Sequence, residues 1–435
     1  APPITQKQPL PEIETVMRAF YLTIGGSKLG YRRGSILGCH FDIPAVEIEN
    51  RIKVIQQKLQ DNEIDGLVVI QQVDLFYFSG TAQNGVLYIP AAGDSLLMVK
   101  QYHPRAIKES PLKNVIEIKS VKEVPERIFD YYGGIGETIG FELDILPVKD
   151  FNFYRKLFPD CSIVDGSALI LETRMIKSSW EIEQMSKVAT ISEKTFVFMK
   201  SVIRPGMSEI ELAGMGEAFS RKYGHHGKTH KRDFLSHGGY SGHVLSGENS
   251  AMLGPLDSPA SGAGTSAAFP CGPGWKRFKK NEPILVDFAS AIYGYHMDET
   301  RMFAIGAMPQ KALDTSKAAI EIHNAILEKL KPGMSAHEIF EFGLSVAQRK
   351  GYQESYLGPE GYQTTFVGHG IGMELVEPPI LARGKHILLT PGMTFALEPK
   401  LVVKDEFMVG VESVFLVTET GTRLISKVPV EILIC

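Results

Sequence analysis

The chain has 435 residues with 46 basic and 50 acidic side chains, a net charge of −4 that excludes a broadly basic surface for nucleic acid or anionic membrane. Apolar and aromatic fractions of 44% and 9% are those of a globular protein, and the length allows two or three domains with separate cores. The cysteines Cys39, Cys161, Cys271 and Cys435 are scattered without metal-type spacing, which points to a reduced, cytoplasmic protein. No apolar run approaches the roughly twenty residues of a spanning helix, and Ala1-Pro2-Pro3-Ile4-Thr5-Gln6 lacks the features of a signal peptide.

Residues 1–44 place Gly25-Gly26 and Gly30 between short apolar pieces and read as an irregular extension on the body. Residues 45–172 change rhythm. Ile52, Ile55 and Leu59 form one stripe of a helix over Ile48–Leu59, and Gly66–Ile70 reads as a strand. Leu75–Gly80, Val86–Ile89 and Leu96–Val99 read as further strands with helices between, the pattern of an α/β layer domain. A second domain, 173–435, begins near Arg174. Glu181–Ile203 predicts a long amphipathic helix, and Ser208 with Glu211 has capping-box spacing for a helix ending at Tyr223-Gly224. Lys311–Leu330 and Ser335–Arg349 predict a second helix pair. Both pairs carry a Pro-Gly-Met-Ser step, Pro205–Ser208 and Pro332–Ser335, an internal echo.

Five residues of this second domain carry the chemistry. Asp287 ends the apolar run Ile284-Leu285-Val286, Asp298 follows in Tyr295–Arg301, and His369 lies in Gly368-His369-Gly370-Ile371-Gly372. Glu398 ends Met393–Leu397, and Glu412 breaks the apolar stretch Val409–Val417. Carboxylates leaving apolar strands are costly to bury unless paired with protons or cations. Four carboxylates and one imidazole suit manganese, iron, cobalt or zinc, so the set predicts two divalent metal ions. Asp287 is placed to chelate one ion through both oxygens. Asp298 and Glu412 are the natural bridges, and His369 and Glu398 complete the second ion, with Glu398 also moving the proton of an activated water.

These motifs, Val286-Asp287-Phe288, Asp298-Glu299-Thr300-Arg301, Gly368–Gly372, Pro391 to Glu398-Pro399, and Val411-Glu412 before Leu416-Val417-Thr418, occur in an order and spacing that resembles the pita-bread metallopeptidases. That family includes methionine aminopeptidase, aminopeptidase P, prolidase and creatinase. The resemblance implies a creatinase-type α/β N-terminal domain and an α+β pita-bread catalytic domain with pseudo-two-fold symmetry. It assigns the five residues the same roles, and implies Xaa-Pro dipeptidase or aminopeptidase activity by a metal-bridging hydroxide and a homodimer.

The remaining candidates are open between a site role and a structural one. Thr300 is expected beside Asp298 or packed in its strand, and Arg301 is expected to hold a carboxylate or backbone. His296 shares a strand face with Asp298 and either reaches substrate or packs in the core or at a solvent edge. His225, His226 and His230, among Lys228, Lys231, Arg232 and Asp233, read as a solvated loop, and His323 as structural on the polar side of its helix. Glu248 and Asn249 lie in a stretch resembling the prolidase substrate loop. Here the chain departs from the family: Gly254 and Val376 stand where the resemblance calls for substrate-binding histidines. Losing such donors typically costs about 10²–10³-fold in rate. His243 is the candidate to substitute for them. The departure leaves a second reading open, an enzyme of this fold acting on a non-peptide small molecule as a hydrolase or as a dimethylsulfoniopropionate lyase does. A third, a binding module without catalysis, is disfavoured by the complete ligand set.

Overall fold

The computed structural model describes residues 41–232, 242–259 and 261–435, so the expectations for residues 1–40 lie outside the described residues. The first lobe is a six-stranded mixed sheet of β1 Gly66–Val69, β2 Gly85–Pro90, β3 Leu96–Val99, β4 Asn114–Glu117, β5 Thr138–Phe141 and β6 Ser162–Asp165. The strand order is β4-β3-β2-β1-β5-β6, with β2 antiparallel to both its neighbours and the outer pairs parallel. Six helices accompany it: α1 Ala45–Asp61, α2 Gln72–Ser79, α3 His103–Glu109, α4 Val124–Tyr132, α5 Val148–Leu157 and α6 Ser167–Met175. The stripe of α1 is buried at Ile48, Ile52, Ile55 and Leu59.

One expected strand, Leu75–Gly80, lies instead in α2. The Gln71 side chain caps its first turn by accepting from Asp74 N, and Gly80 ends it in the left-handed conformation at φ 77°. Its residues are buried on nearly every side, so the apolar run carries no periodicity to distinguish helix from strand.

Among the described residues the second lobe has two larger sheets and a two-stranded ribbon. The first contains β7 Gly242–Ser246, β8 Ile284–Ile292 and β9 Tyr295–Ala304 as an antiparallel ladder. The second contains β10 Phe366–Gly370, β11 Glu377–Ala382, β12 Thr394–Leu397, β15 Ser413–Val417 and β16 Thr422–Leu424, in the order β11-β10-β12-β15-β16. Between β12 and β15 the chain makes a ribbon of β13 Lys400–Val403 and β14 Phe407–Gly410. The last strand, β17 Leu433–Ile434, runs parallel on the free edge of β9. The sheets meet where Thr300 and Glu412 exchange backbone hydrogen bonds at 3.4 and 3.1 Å.

Helix α7 Ser179–Val202 and α8 Glu209–Arg221 cover the first sheet, packing Phe196, Met199 and Leu212 against Val244, Val286 and Phe303. Helix α9 Gln310–Lys329 and α10 Ala336–Arg349 cover the second, with Ile322, Ile326, Ile339 and Phe340 against Val367, Leu381 and Phe395. Full capping boxes start α7, α8 and α10 at Ser178/Glu181, Ser208/Glu211 and Ser335/Glu338. The internal echo has a structural counterpart, because Ser208 bridges Arg277 and Ser335 bridges Leu388 in equivalent fashion. His323 differs from its expected polar face: it is buried, its ring 5.6 Å from that of Phe415, since α9 is covered where it meets β15.

A buried charge cluster joins the lobes. Arg174 at the end of α6 pairs with Asp74 at 2.7 Å, Glu374 at 2.9 Å and Glu377 at 2.5 Å. Lys177 adds a contact of 2.6 Å to Glu377, and Arg232 reaches Asp74 at 2.5 Å and Asp144 at 2.6 Å. Burial alone would raise the Asp74 carboxyl, but Arg174 and Arg232 hold it below the usual range.

Candidate metal centre

The ladder β7-β8-β9 sets the floor of the site. Asp287 pairs across with Thr300 on one side and His243 on the other, and Ala289 pairs with Asp298. Directly paired residues share a face, so His243, Asp287, Asp298 and Thr300 project together. The second sheet contributes the rest: His369 from β10, Glu398 just past β12, and Glu412 just before β15. Glu398 N donates to Val367 O at 2.9 Å, which fixes it beside the His369 strand. All five candidate ligands are buried, yet all line one cleft of about 560 Å³.

His369 Nδ1 lies 3.0 Å from Gly370 O, which places the proton there and turns a bare Nε2 to the cleft. Nε2 is 3.5 Å from Glu398 Oε1 and 3.9 Å from Glu412 Oε1. Donor atoms of Asp298, His369 and Glu412 lie within 4.8 Å of one another. Asp298 Oδ1 and Glu412 Oε1 are buried without a hydrogen-bond partner. Orphaned carboxylate oxygens beside an imidazole nitrogen that faces the cleft fit a divalent cation. Burial raises both carboxyls well above their ordinary range, with Asp287 and Glu398 adding to the effect at Asp298, and Asp298 and Glu398 at Glu412.

A sixth residue, absent from the sequence-derived set, stands among them. Lys400, the first residue of β13, is 1% exposed. Its Nζ donates to Glu398 Oε2 and lies 3.2 Å from Asp287 Oδ2 and 3.7 Å from Glu412 Oε2. Burial would raise the Asp287 carboxyl, but Lys400 and His243 hold it below the usual range. The sequence signal was available: a lysine directly after Glu398-Pro399 opens the apolar run Leu401-Val402-Val403. A lysine there faces either solvent or a buried anion.

The other candidates sort by position. Thr300, expected beside Asp298, donates its hydroxyl to Glu412 Oε2 at 2.8 Å, because the sheet junction brings Glu412 closer. Arg301 lies behind the site, donating to Thr300 O at 2.8 Å and Ser413 Oγ at 3.0 Å and also to Glu412 O, so it pins the backbone that carries Glu412. His296 does share the Asp298 face but is fully buried outside the cleft wall. Its Nε2 accepts from His230 N at 3.0 Å, and Nδ1 lies 3.1 Å from Gly372 O, so neither nitrogen is left for substrate. The loop at 225–230 is not wholly solvated: His225 is buried and its Nδ1 accepts from Ala291 N at 2.9 Å.

Val376 lines the cleft with Leu256, Phe366 and Ile380, as do Lys231 and Arg232. Gly254 does not line it, whereas the following residues 255–258 do. A Cβ at Gly254 would lie 2.1 Å from Ser261 Oγ and 2.9 Å from Pro270 O, so no histidine fits there without moving the loop. His243 is a cleft residue that burial holds down to about 4, hence neutral. Asn249 serves the loop rather than the cleft: it donates to the buried Glu209 at 2.6 Å and accepts from Ala263 N at 2.9 Å. Glu248 lies beside it in the 3₁₀ segment Gly247–Ala251.

Comparisons with known proteins bear on the family and the fold. Residues 183–419 match the model of metallopeptidase family M24, and residues 51–176 that of the creatinase/prolidase N-terminal domain. The Xaa-Pro dipeptidase of Pyrococcus furiosus is 25% identical over 389 residues, covering 89% of this chain and 100% of that protein. The uncharacterized peptidase YqhT of Bacillus subtilis is 24% identical over 373 residues, 85% of this chain and 96% of its own. Among solved structures, the Xaa-Pro dipeptidase from Bacillus anthracis superposes with a TM-score of 0.76 at 24% identity, covering 89% of this chain and all of that one. Proline aminopeptidase P II from Yersinia pestis gives 0.68 at 15%, covering 88% and 96%. Such structural likeness establishes the fold: a creatinase-type N-terminal domain followed by a pita-bread catalytic domain.

Proposed function

Because the chain belongs to metallopeptidase family M24, we propose that it is a metal-dependent hydrolase of small peptides, working at the cleft between its two catalytic sheets. The observation that carries this reading is the trio Asp298, His369 and Glu412, with bare donor atoms on the cleft floor. These three would hold a divalent ion. Glu398 would complete the shell of the His369 ion, and Asp287 would chelate a second one with Asp298 and Glu412 as bridges, as the resemblance implies, only if Lys400 withdrew. A bound ion supplies Lewis-acid polarisation of a carbonyl and an acidified water at neutral pH.

The chain's own side chains do the rest. Glu398 keeps Oε1 clear of Lys400, which binds Oε2, and so is the group to accept and return a proton. His243, neutral and in the cleft, donates to the substrate carbonyl in place of the donor that Val376 lacks. The wall of Leu256, Phe366, Val376 and Ile380 takes an apolar or prolyl side chain, and Lys231, also on the cleft lining, takes an anionic end. This arrangement supports an Xaa-Pro or other apolar dipeptide as substrate. A non-peptide small molecule is the second reading, favoured by Val376 at 37% exposure where a polar group is expected.

No helix among the described residues is long and apolar enough to cross a membrane. Among the described residues Cys161 and Cys435 are free thiols, which supports a reducing, cytoplasmic setting. A homodimer, implied by the resemblance, is part of the same proposal and is read by light scattering at micromolar concentration. The function is tested by loading the purified chain with manganese, cobalt, iron or zinc and assaying Xaa-Pro, Xaa-Leu and capped dipeptides beside a small-metabolite panel. Metal-dependent release of free amino acids supports the peptidase. Turnover of only non-peptide compounds selects the second reading.

A further inference from the structure

Lys400 is built into the ligand cage rather than leaning on it. Its strand position is fixed by pairing with Gly410 across the β13–β14 ribbon and by Leu357 N donating to its carbonyl at 2.9 Å. The side chain lies over Gly410, where an added Cβ would come within 2.6 Å of Lys400 Cγ. The glycine therefore leaves a slot for the aliphatic stem. At its end the ammonium has three N–H donors and three carboxylates around it, Asp287, Glu398 and Glu412. The oxygens left without partners, Asp298 Oδ1 and Glu412 Oε1, belong to the other half of the cage.

Charge points the same way. Four carboxylates carry −4, which one ammonium and one divalent ion reduce to −1. Two divalent ions with Lys400 in place would give +1. A second ion chelated by Asp287 would then share its oxygens with a buried ammonium 3.2 Å from Asp287 Oδ2, at a separation where like charges repel strongly in a low-dielectric site.

We propose that the Lys400 ammonium is the permanent occupant of one of the two cation positions. The centre then binds a single divalent ion, held by Asp298, His369 and Glu412, while Asp287 and Glu398 serve as anchors for the lysine. This inference rests on the metal-dependent reading above. It changes what the site can do, because only one exchangeable cation remains and chelation removes only part of the charge balance.

The test is stoichiometry and spectroscopy on the full chain. Wild-type protein and Lys400→Ala, each stripped with chelator, are loaded with excess Mn²⁺, desalted, and examined by elemental analysis and electron paramagnetic resonance. The expected result is one Mn²⁺ per wild-type chain, with the hyperfine pattern of an isolated ion. Lys400→Ala should hold two and give the broadened spectrum of a coupled pair, with unchanged circular dichroism confirming its fold. Two ions in the wild type overturn the inference while leaving the metal-dependent hydrolase intact, and this arm decides even where the variant does not fold. One ion in a folded Lys400→Ala overturns the claim that the ammonium occupies the second position. No bound ion in the wild type overturns both this inference and the hydrolase reading.

Discussion

Replacing Arg174 by Met tests whether the buried charges at the lobe junction act as a unit. Asp74, Glu374 and Glu377 are each at most 3% exposed, and Arg174 touches all three. Methionine fills most of the volume without the charge. Lys177 can still hold Glu377 and Arg232 can still hold Asp74, which leaves Glu374 as the stranded anion. Breaking a buried ion pair from one side typically costs about 3–5 kcal/mol. A body of roughly 400 residues unfolds with an entropy near 0.8 kcal/mol per K, so the melting temperature should fall by about 4–6 °C. The double variant Arg174→Met/Glu374→Gln should recover more than about 1 kcal/mol of that loss, because it removes the stranded charge. Burial already raises the Glu374 carboxyl, and removing Arg174 raises it further, so the deficit should be largest at pH 8 and shrink toward pH 5. Calorimetry at both pH values reads these shifts. A single variant within 1 °C of wild type, with no response to Glu374→Gln, would refute the reasoning.

Four other outcomes are expected. Asp298→Ala should stay folded by circular dichroism yet lose bound metal and activity; undiminished metal in elemental analysis would remove Asp298 from the ligand set. Gly242→Ala places a Cβ 2.0 Å from Asp287 O at φ 138°, so β7 must part from β8, and isothermal titration should show weaker metal binding beside a lower melting temperature. Burial holds His225 and His323 down to about 4 against an ordinary value of 6.5. The unfolded chain therefore takes up their protons first, and stability is lost as pH falls from 6.5, levelling out below about 4. At pH 5 each should cost about 2 kcal/mol, and His323→Leu should flatten a urea-denaturation pH profile on that side. Finally, Val376→His, by adding a second donor beside His243, should raise Xaa-Pro dipeptidase turnover by about tenfold or more; an unchanged rate would mean that the single donor His243 suffices.

Four of the five candidate ligands were legible because carboxylates at the ends of apolar strands have few other reasons to exist, and His369 was legible from its glycine-flanked motif; the structure brings all five to one cleft. The helices of the catalytic domain were legible from local chemistry, since Ser208/Glu211 and Ser335/Glu338 announce their own starts. Leu75–Gly80 was not, because a short helix buried nearly all round has no periodicity. His296 shows a subtler limit: strand alternation gives its face but not the loop at 230 that covers it. The Arg174 cluster was beyond reach, as its partners lie near positions 74 and 375 and only the docking of two lobes brings them together. Lys400 was overlooked for a different reason. A strand-end lysine normally reaches solvent, and its inward turn depends on Gly410 across the ribbon.

The position of β17 has a consequence for how the protein is made. The strands of the first lobe all lie between residues 66 and 165, so that lobe can fold while the rest is still being synthesised. The cage cannot. Its donors come from positions 287 to 412, and the sheet bearing Asp287 and Asp298 gains its outer strand only from residues 433–434. A nascent chain that stops short of Glu412 lacks part of the donor set. The choice among competing metals, which ligand chemistry alone leaves loose, therefore falls to the finished fold and to whatever ion pool surrounds it when folding ends.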